Sequence, residues 1–473
     1  MGQINNYLTF NNKPTYISLR RLKMRRGFLL SILITAMALF WVGACDNDYP
    51  DSLWDPDATG LPDPIITSVS PSDSTLDGVG IVTIHGHNFS ANMAENLVFF
   101  NSGKATIFED LSDSTTLVVQ VPVIIKDAAV NAMDSVKIRV AVQGAYMYGV
   151  FPASGVNFKL KRANVEWGKF ALEKLHAIDS DQDGNVYIAS EEKNTGGAYI
   201  IYKITPDNEK SEFGSVIFNI VPGMKVGWGG ALFLTRVNNK TIYRIPATGG
   251  AAAAFNTAGL PGSGKAADLD FDQNVMYAVG TGTLGAVFAV TSAGVATASS
   301  EYIGFNLVAA KVYNDYLYVA GKYTGTDVTI AKEGIWKSPI TDAAGTLGTR
   351  VQVFDWATFV GTGGPTLLSM TLDINGNIYA GMKETYTSAS VGGVTTITYA
   401  GGTAITVIAP DGTTSSLYPE LLYPPATYFS FESGTSLWVV RNPETQTATG
   451  VVKNRLFRLE MTTTGAPYYG RNL

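Results

Sequence analysis

The densest set of groups suited to chemistry lies between His176 and Glu192. Asp179, Asp181 and Asp183 alternate ahead of Gly184 in the run DSDQDG. A calcium loop begins this way, because alternate carboxylates and a glycine turn wrap oxygen ligands around a hard cation. The twelfth position, which should supply a bidentate acid, is Ser190, with Glu191 and Glu192 one and two places late. No helix flanks the loop, and the residues after Gly184 alternate as a strand does. The stronger reading is a hairpin turn in which Asp and Gly supply backbone shape. The expectation is no cofactor, with Ca or Mg at Asp179, Asp181 and Asp183 as the alternative.

His176 is the other candidate. General acid–base work needs a side chain that can exchange a proton with substrate, and Asp268, Asp270 and Glu301 are the acids able to join it. No second histidine or acid partner is fixed by spacing, so the expected catalytic set is empty and His176 is the alternative. His85 and His87 share one face of a strand, but no third ligand completes a metal pair. The sequence has no Gly-x-Ser-x-Gly elbow, and its Gly-rich pieces GTGTLG and GTGG sit between strands rather than before a helix.

The elements that position these residues are short strands. The chain has 473 residues, 16% charged and 11% aromatic, with 49 glycines. That balance suits an all-β protein of two or three units. The net charge is -6 with no basic stripe beyond the N-terminus, so nucleic acid is not an expected partner. One strand core recurs six times with an aromatic or equivalent at the same place: Tyr187, Phe233, Tyr277, Tyr318, Tyr379 and Trp438, spaced 46, 44, 41, 61 and 59 residues apart. Each is followed by a second core, at Tyr202, Tyr243, Phe288, Trp336, Val407 and Phe457, then by a turn and usually another short strand. Four strands per repeat over 165–473 predict a six-bladed β-propeller, which protects sheet edges better than an open sheet. Residues 165–170 precede the first full repeat and are placed to complete the last blade.

With D-x-x-G-N-V-Y at Asp181 to Tyr187 and D-I-N-G-N-I-Y at Asp373 to Tyr379, this region resembles NHL-type six-bladed propellers. Propellers of this shape include lyases and lactonases that work with a divalent ion and a channel-facing His or carboxylates, and the resemblance implies such an enzyme as the alternative function. It also places ligands at the loops joining strand two to three and blade to blade. The candidate ligand-binding residues there are Glu191, Arg236, Tyr302, Tyr323, Trp356, Lys383, Tyr386, Tyr423 and Arg441. Exposed aromatics beside polar groups suit sugar rings, whose apolar faces stack while their hydroxyls take hydrogen bonds.

Residues 64–160 read as a small sandwich of period-two strands. The runs PIITSVSP from Pro64, GIVTIHGHNF from Gly80 and LVVQVP from Leu117 resemble the IPT/TIG domain, an immunoglobulin-like fold. Gly86 is expected to take a turn that a Cβ forbids, with Phe89 plugging the sandwich. The family's DNA-binding members do not fit an acidic chain, and the resemblance implies a spacer or a carbohydrate-recognition module.

The start of the chain reads as an address. Arg20, Arg21, Lys23, Arg25 and Arg26 precede the apolar run 27–42, then Gly43, Ala44 and Cys45. The run is shorter than the roughly 20 residues of a spanning helix, and VGAC resembles the bacterial lipobox, whose cysteine is lipidated. Translation starts at Met1 or Met24. Residues 1–45 are thus a signal peptide and 46–63 an acidic tether whose Asp46, Asp48 and Asp51 resemble a surface-export signal of glycan-foraging bacteria. The expected location is the outer membrane, lipid-anchored and facing outward, with a periplasmic face as the alternative. The expected function is non-catalytic capture of a glycan or other extracellular ligand beside an outer-membrane uptake complex. The alternatives are the propeller hydrolase or lyase and a protein-interaction scaffold.

Overall fold

The computed structural model describes residues 60–126, 130–151, 157–170, 173–383, 403–419, 421–422, 424–442 and 455–472, and the backbone alone of 386–391 and 394–399. The signal peptide with Cys45, residues 46–59 of the tether and Tyr423 lie outside the described residues, as does the side chain of Tyr386.

Strand alternation builds the first domain. Ile81–His87 has the pattern of buried Val82 and Ile84 between more exposed neighbours. Its sheet orders Ile65–Ser70, Ile81–His87, Thr116–Gln120 and Thr106–Ile107. A second sheet orders Gly149–Phe151, Ile138–Val142, Asn96–Phe100 and Gly103–Lys104. Val82, Ile84, Val98, Phe100, Leu117, Val119, Ile138 and Val140 close the core between them. The expected turn at Gly86 is corrected: Asn88 takes the left-handed conformation, at φ 63°. Gly86 is needed for room instead, because a Cβ there would lie 2.1 Å from the Ile65 carbonyl oxygen and 2.4 Å from the Phe89 ring.

Six units follow, each beginning with an inner strand: five are four-stranded and antiparallel, and the first adds Gly250–Ala251 as a fifth strand paired parallel at its edge. The inner strands of blades 1 to 6 are Leu175–Ser180, Met224–Gly227, Lys265–Phe271, Phe305–Tyr313, Leu367–Leu372 and Tyr428–Phe431. Neighbouring inner strands run in the same direction, since Ala310 and Val312 of blade 4 donate backbone N–H groups to Asp268 and Asp270 of blade 3. Asn164–Trp167 pairs antiparallel with Arg455–Glu460 and supplies the fourth strand of blade 6, so a segment ahead of blade 1 closes the ring. The long fifth interval holds an inserted hairpin, Tyr386–Val391 with Val394–Tyr399. The chain is an all-β protein, an immunoglobulin-like sandwich followed by a six-bladed β-propeller.

The repeated motif has a physical cause. Asp181 Oδ1 accepts the backbone N–H groups of Asp183 and Asn185, and its Oδ2 accepts the Asn185 amide and, at 3.0 Å, the Tyr187 hydroxyl. Asp373 makes the same four bonds to Asn375, Asn377 and Tyr379. Gly184 and Gly376 sit at φ 77° and 81°, where a side chain would be strained. The calcium-loop alternative is corrected on this geometry. Asp181 is occupied within its turn, Asp183 is exposed, and Asp179 is fully buried and turned to the propeller axis. Three carboxylates that point to three places cannot share a cation.

Candidate functional site

The inner strands are not regular. Register shifts, each a β-bulge, fall between Leu175 and Ile178, Ala266 and Asp268, Leu307 and Ala309, and Leu367 and Ser369. Four of six inner strands thus bulge near their starts, where a bulge bends the strand and re-aims its side chains. The bulged residues Ala177, Ala267, Val308 and Leu368 all line one axial cavity of about 200 Å³. Every blade contributes to its lining. Met224, Met370 and Phe429 add apolar wall, while Lys225, Asp268, Ser369 and Tyr428 add polar groups.

Below the cavity the axis is filled by a charged network. Asp179 Oδ2 accepts the Val226 N–H and Oδ1 the Ser430 hydroxyl, each at 2.8 Å. Lys225 Nζ stands 3.6 Å from Asp179, and Lys311 Nζ 3.3 Å from Asp270. The C-terminal segment completes it. Arg471 donates to the carbonyls of Ser180 and Phe431 and lies 3.5 Å from Asp179. Tyr468 donates to the Val226 carbonyl, with the Lys225, Lys311 and Arg471 cations over its ring. Three cations thus face three acids, Asp179, Asp268 and Asp270. Buried charges persist only when paired in this way.

Burial pushes the Asp268 carboxyl up to about 6, against the opposing pull of Lys225 and the Ala310 N–H. The side chain is partly exposed and lines the cavity. Burial also lowers Lys311, only partly offset by Asp270. Lys225 is disfavoured by burial, yet Asp179, Asp270 and Asp268 outweigh that and hold its ammonium above the ordinary value. Lys225 is therefore a fixed donor rather than a base.

His176 does not line the cavity. The bulge that sends Ala177 inward leaves His176 between blades, its Nε2–H donating to Glu191 at 3.1 Å and its ring edge-on to Tyr428 at 6.2 Å. Burial lowers its pKa against the opposing pull of Glu191, so it is neutral at pH 7. Glu301 lies elsewhere, 3.6 Å from Arg350. Of the proposed acid partners only Asp268 reaches the cavity.

The ligand-binding set also divides. Trp356 and Tyr302 are 0% exposed, which corrects their assignment to a sugar platform. Trp356 opens a short helix, Trp356–Val360, with Nε1 bonded to the Pro365 carbonyl at 2.8 Å, and the Tyr302 hydroxyl meets Ser338 at 2.8 Å. Arg236 lies over the Phe218 ring, Arg441 donates to the Pro424 carbonyl, and Tyr323 packs 5.0 Å from Phe305. The Lys383 backbone N–H bonds to the Thr366 carbonyl. Arg236, Tyr323, Lys383 and Arg441 lie at or just beyond the ends of second strands in four different blades and do not converge. The residues that do converge and were not foreseen are Lys225, Ser369, Tyr428, Lys311, Tyr468 and Arg471. A lone lysine inside an apolar inner strand, as in MKVG and AAKVY, was the available signal.

Residues 64–159 match the IPT/TIG domain. No curated protein matches the chain. Among solved structures it is similar to a protein of unknown function from Bacteroides thetaiotaomicron, at 14% identity over 86% of this chain and 99% of that one, with a TM-score of 0.44. An auxiliary nutrient binding protein from Bacteroides ovatus is similar at 12% identity over 86% and 99%, TM-score 0.41. A gluconolactonase from Xanthomonas campestris is similar at 11% identity over 63% and 89%, TM-score 0.42. Likenesses this distant say nothing of ligand or reaction.

Proposed function

We propose that the chain is a lipid-anchored outer-membrane protein, facing outward through Cys45, that binds a glycan without altering it in the axial cavity, beside an uptake complex. The observation that carries the reading is the bulged lining. Four inner strands give up regular pairing where their bulged residues form one pocket, and apolar walls over a Lys225–Asp268 floor match a sugar's mixed surface. Hydrolysis of a glycosidic bond asks for two carboxyl groups on either side of it. Among the described residues Asp268 is the one carboxylate in the lining, and Lys225 is held protonated. The geometry therefore favours binding. The experiment is calorimetric titration of the full chain in detergent with starch, arabinoxylan, pectin, yeast mannan and laminarin. One of them binds, unchanged in size afterwards, and Asp268→Asn weakens it. Heat absent from all five, or product release that Asp268→Asn abolishes, overturns the reading in favour of another ligand or of the enzyme.

A further inference from the structure

The axial cavity has one way in. Residues beyond blade 6 cross the opposite face of the ring and touch every blade. Ile374 donates to the Thr464 carbonyl on the blade 5 turn, and Ala466 to the Leu372 carbonyl. Tyr468 and Arg471 then tie the inner strands of blades 2, 1 and 6, and Tyr469 packs against the buried cluster that holds Val275 and Val312 of blades 3 and 4. The segment is not a loose cover. Arg471 and Asp179 side chains are 7% and 0% exposed, and Lys311 is 7% exposed. Moving the segment aside would leave three buried acids facing two cations, which is costly in a low-dielectric interior.

A ligand chain therefore cannot thread the ring. The cavity volume of about 200 Å³ is also below the roughly 300 to 1,000 Å³ of sites that enclose a drug-sized molecule. It accommodates one ring-sized group, presented end-on, with Lys225 and Asp268 at its floor and Tyr428 at its wall.

Resting on the glycan reading above, we infer that this site recognises the terminal residue of a glycan and not an internal segment: a blind axial pocket, floored by the C-terminal segment, admits only a chain end. Ends rather than residues then set the number of binding sites that a polysaccharide offers.

The test uses the panel polysaccharide that binds, intact and after partial acid hydrolysis, at equal mass. Cutting the chains to about a tenth of their length raises apparent affinity per unit mass about tenfold, because binding follows the concentration of ends. The monosaccharide released by full hydrolysis competes with both preparations. Apparent affinity per unit mass that stays level or falls on hydrolysis overturns this inference and leaves glycan binding standing. Absence of binding by every intact and hydrolysed polysaccharide removes the glycan reading and this inference together.

Discussion

Three tyrosines hold the same place on the second strands of blades 1, 3 and 5, and removing their hydroxyls should have opposite consequences. Tyr187 donates to Asp181 at 3.0 Å and Tyr379 to Asp373 at 3.1 Å, and both are almost wholly buried. In blade 3 the turn is one residue shorter and lacks the glycine. There Asp272 is taken up by the backbone N–H groups of Asn274 and Val275, and the Tyr277 hydroxyl has no partner among the described residues. A hydrogen bond to a charged acceptor contributes about 1.5 to 3 kcal/mol. Asp181 and Asp373 each keep an Asn amide when the phenol is gone, so Tyr187→Phe and Tyr379→Phe should each cost about 1.5 kcal/mol, the low end of that range. Tyr277→Phe deletes a buried donor with nothing to donate to and should be neutral or stabilising by about 1 kcal/mol. Urea unfolding of the three variants, compared at fixed m-value, reads this directly. Equal losses at all three positions would refute the reasoning and show that Tyr277 has a partner of its own.

Other expectations follow from the same geometry. Trp356→Ala empties a fully buried site and should cost about 3 to 5 kcal/mol in urea unfolding while leaving ligand affinity unchanged; a selective loss of affinity would restore Trp356 to the site. Arg471→Met leaves the buried Asp179 with Lys225 as its remaining cation, and should cost about 3 kcal/mol, at the lower edge for breaking a buried pair; a loss below about 1 kcal/mol would mean the floor is solvated. Asp268 has a folded pKa raised above its unfolded value, so the folded state binds the extra proton and stability falls as pH rises through about 4 to 6. Asp268→Asn, which never ionises, should therefore gain on the unaltered chain between pH 4 and pH 8; an unchanged difference between those pH values counts against the burial of that carboxyl.

Strand period and turn chemistry are local, which is why so much of the fold could be read from residues alone. The aromatic cores at Tyr187 through Trp438 and the Asp–Gly–Asn turns named the blades, because each motif satisfies its hydrogen bonds within a few residues. The candidate site depended on longer relationships. Ala177, Ala267, Val308 and Leu368 reach the axis through bulges, and a bulge leaves no mark in a period-two pattern; the same shift turned His176 away from the channel. Arg471 and Asp179 meet across almost 300 positions. Trp356 and Tyr302 were misplaced because a position between strands was equated with exposure, whereas a short helix and a 3-10 turn fold both inward.

The central claim is that the axial cavity is the binding site, and filling it tests that claim most directly. Leu368 is a bulged residue of the lining, partly exposed to the cavity, so Leu368→Trp adds bulk where a ligand would sit and need not disturb a packed core. Titrated with the panel polysaccharide that binds best, the variant should lose at least about tenfold in affinity, or about 1.4 kcal/mol, with its urea midpoint unchanged. A folded Leu368→Trp protein that binds as tightly as the unaltered chain would contradict the account.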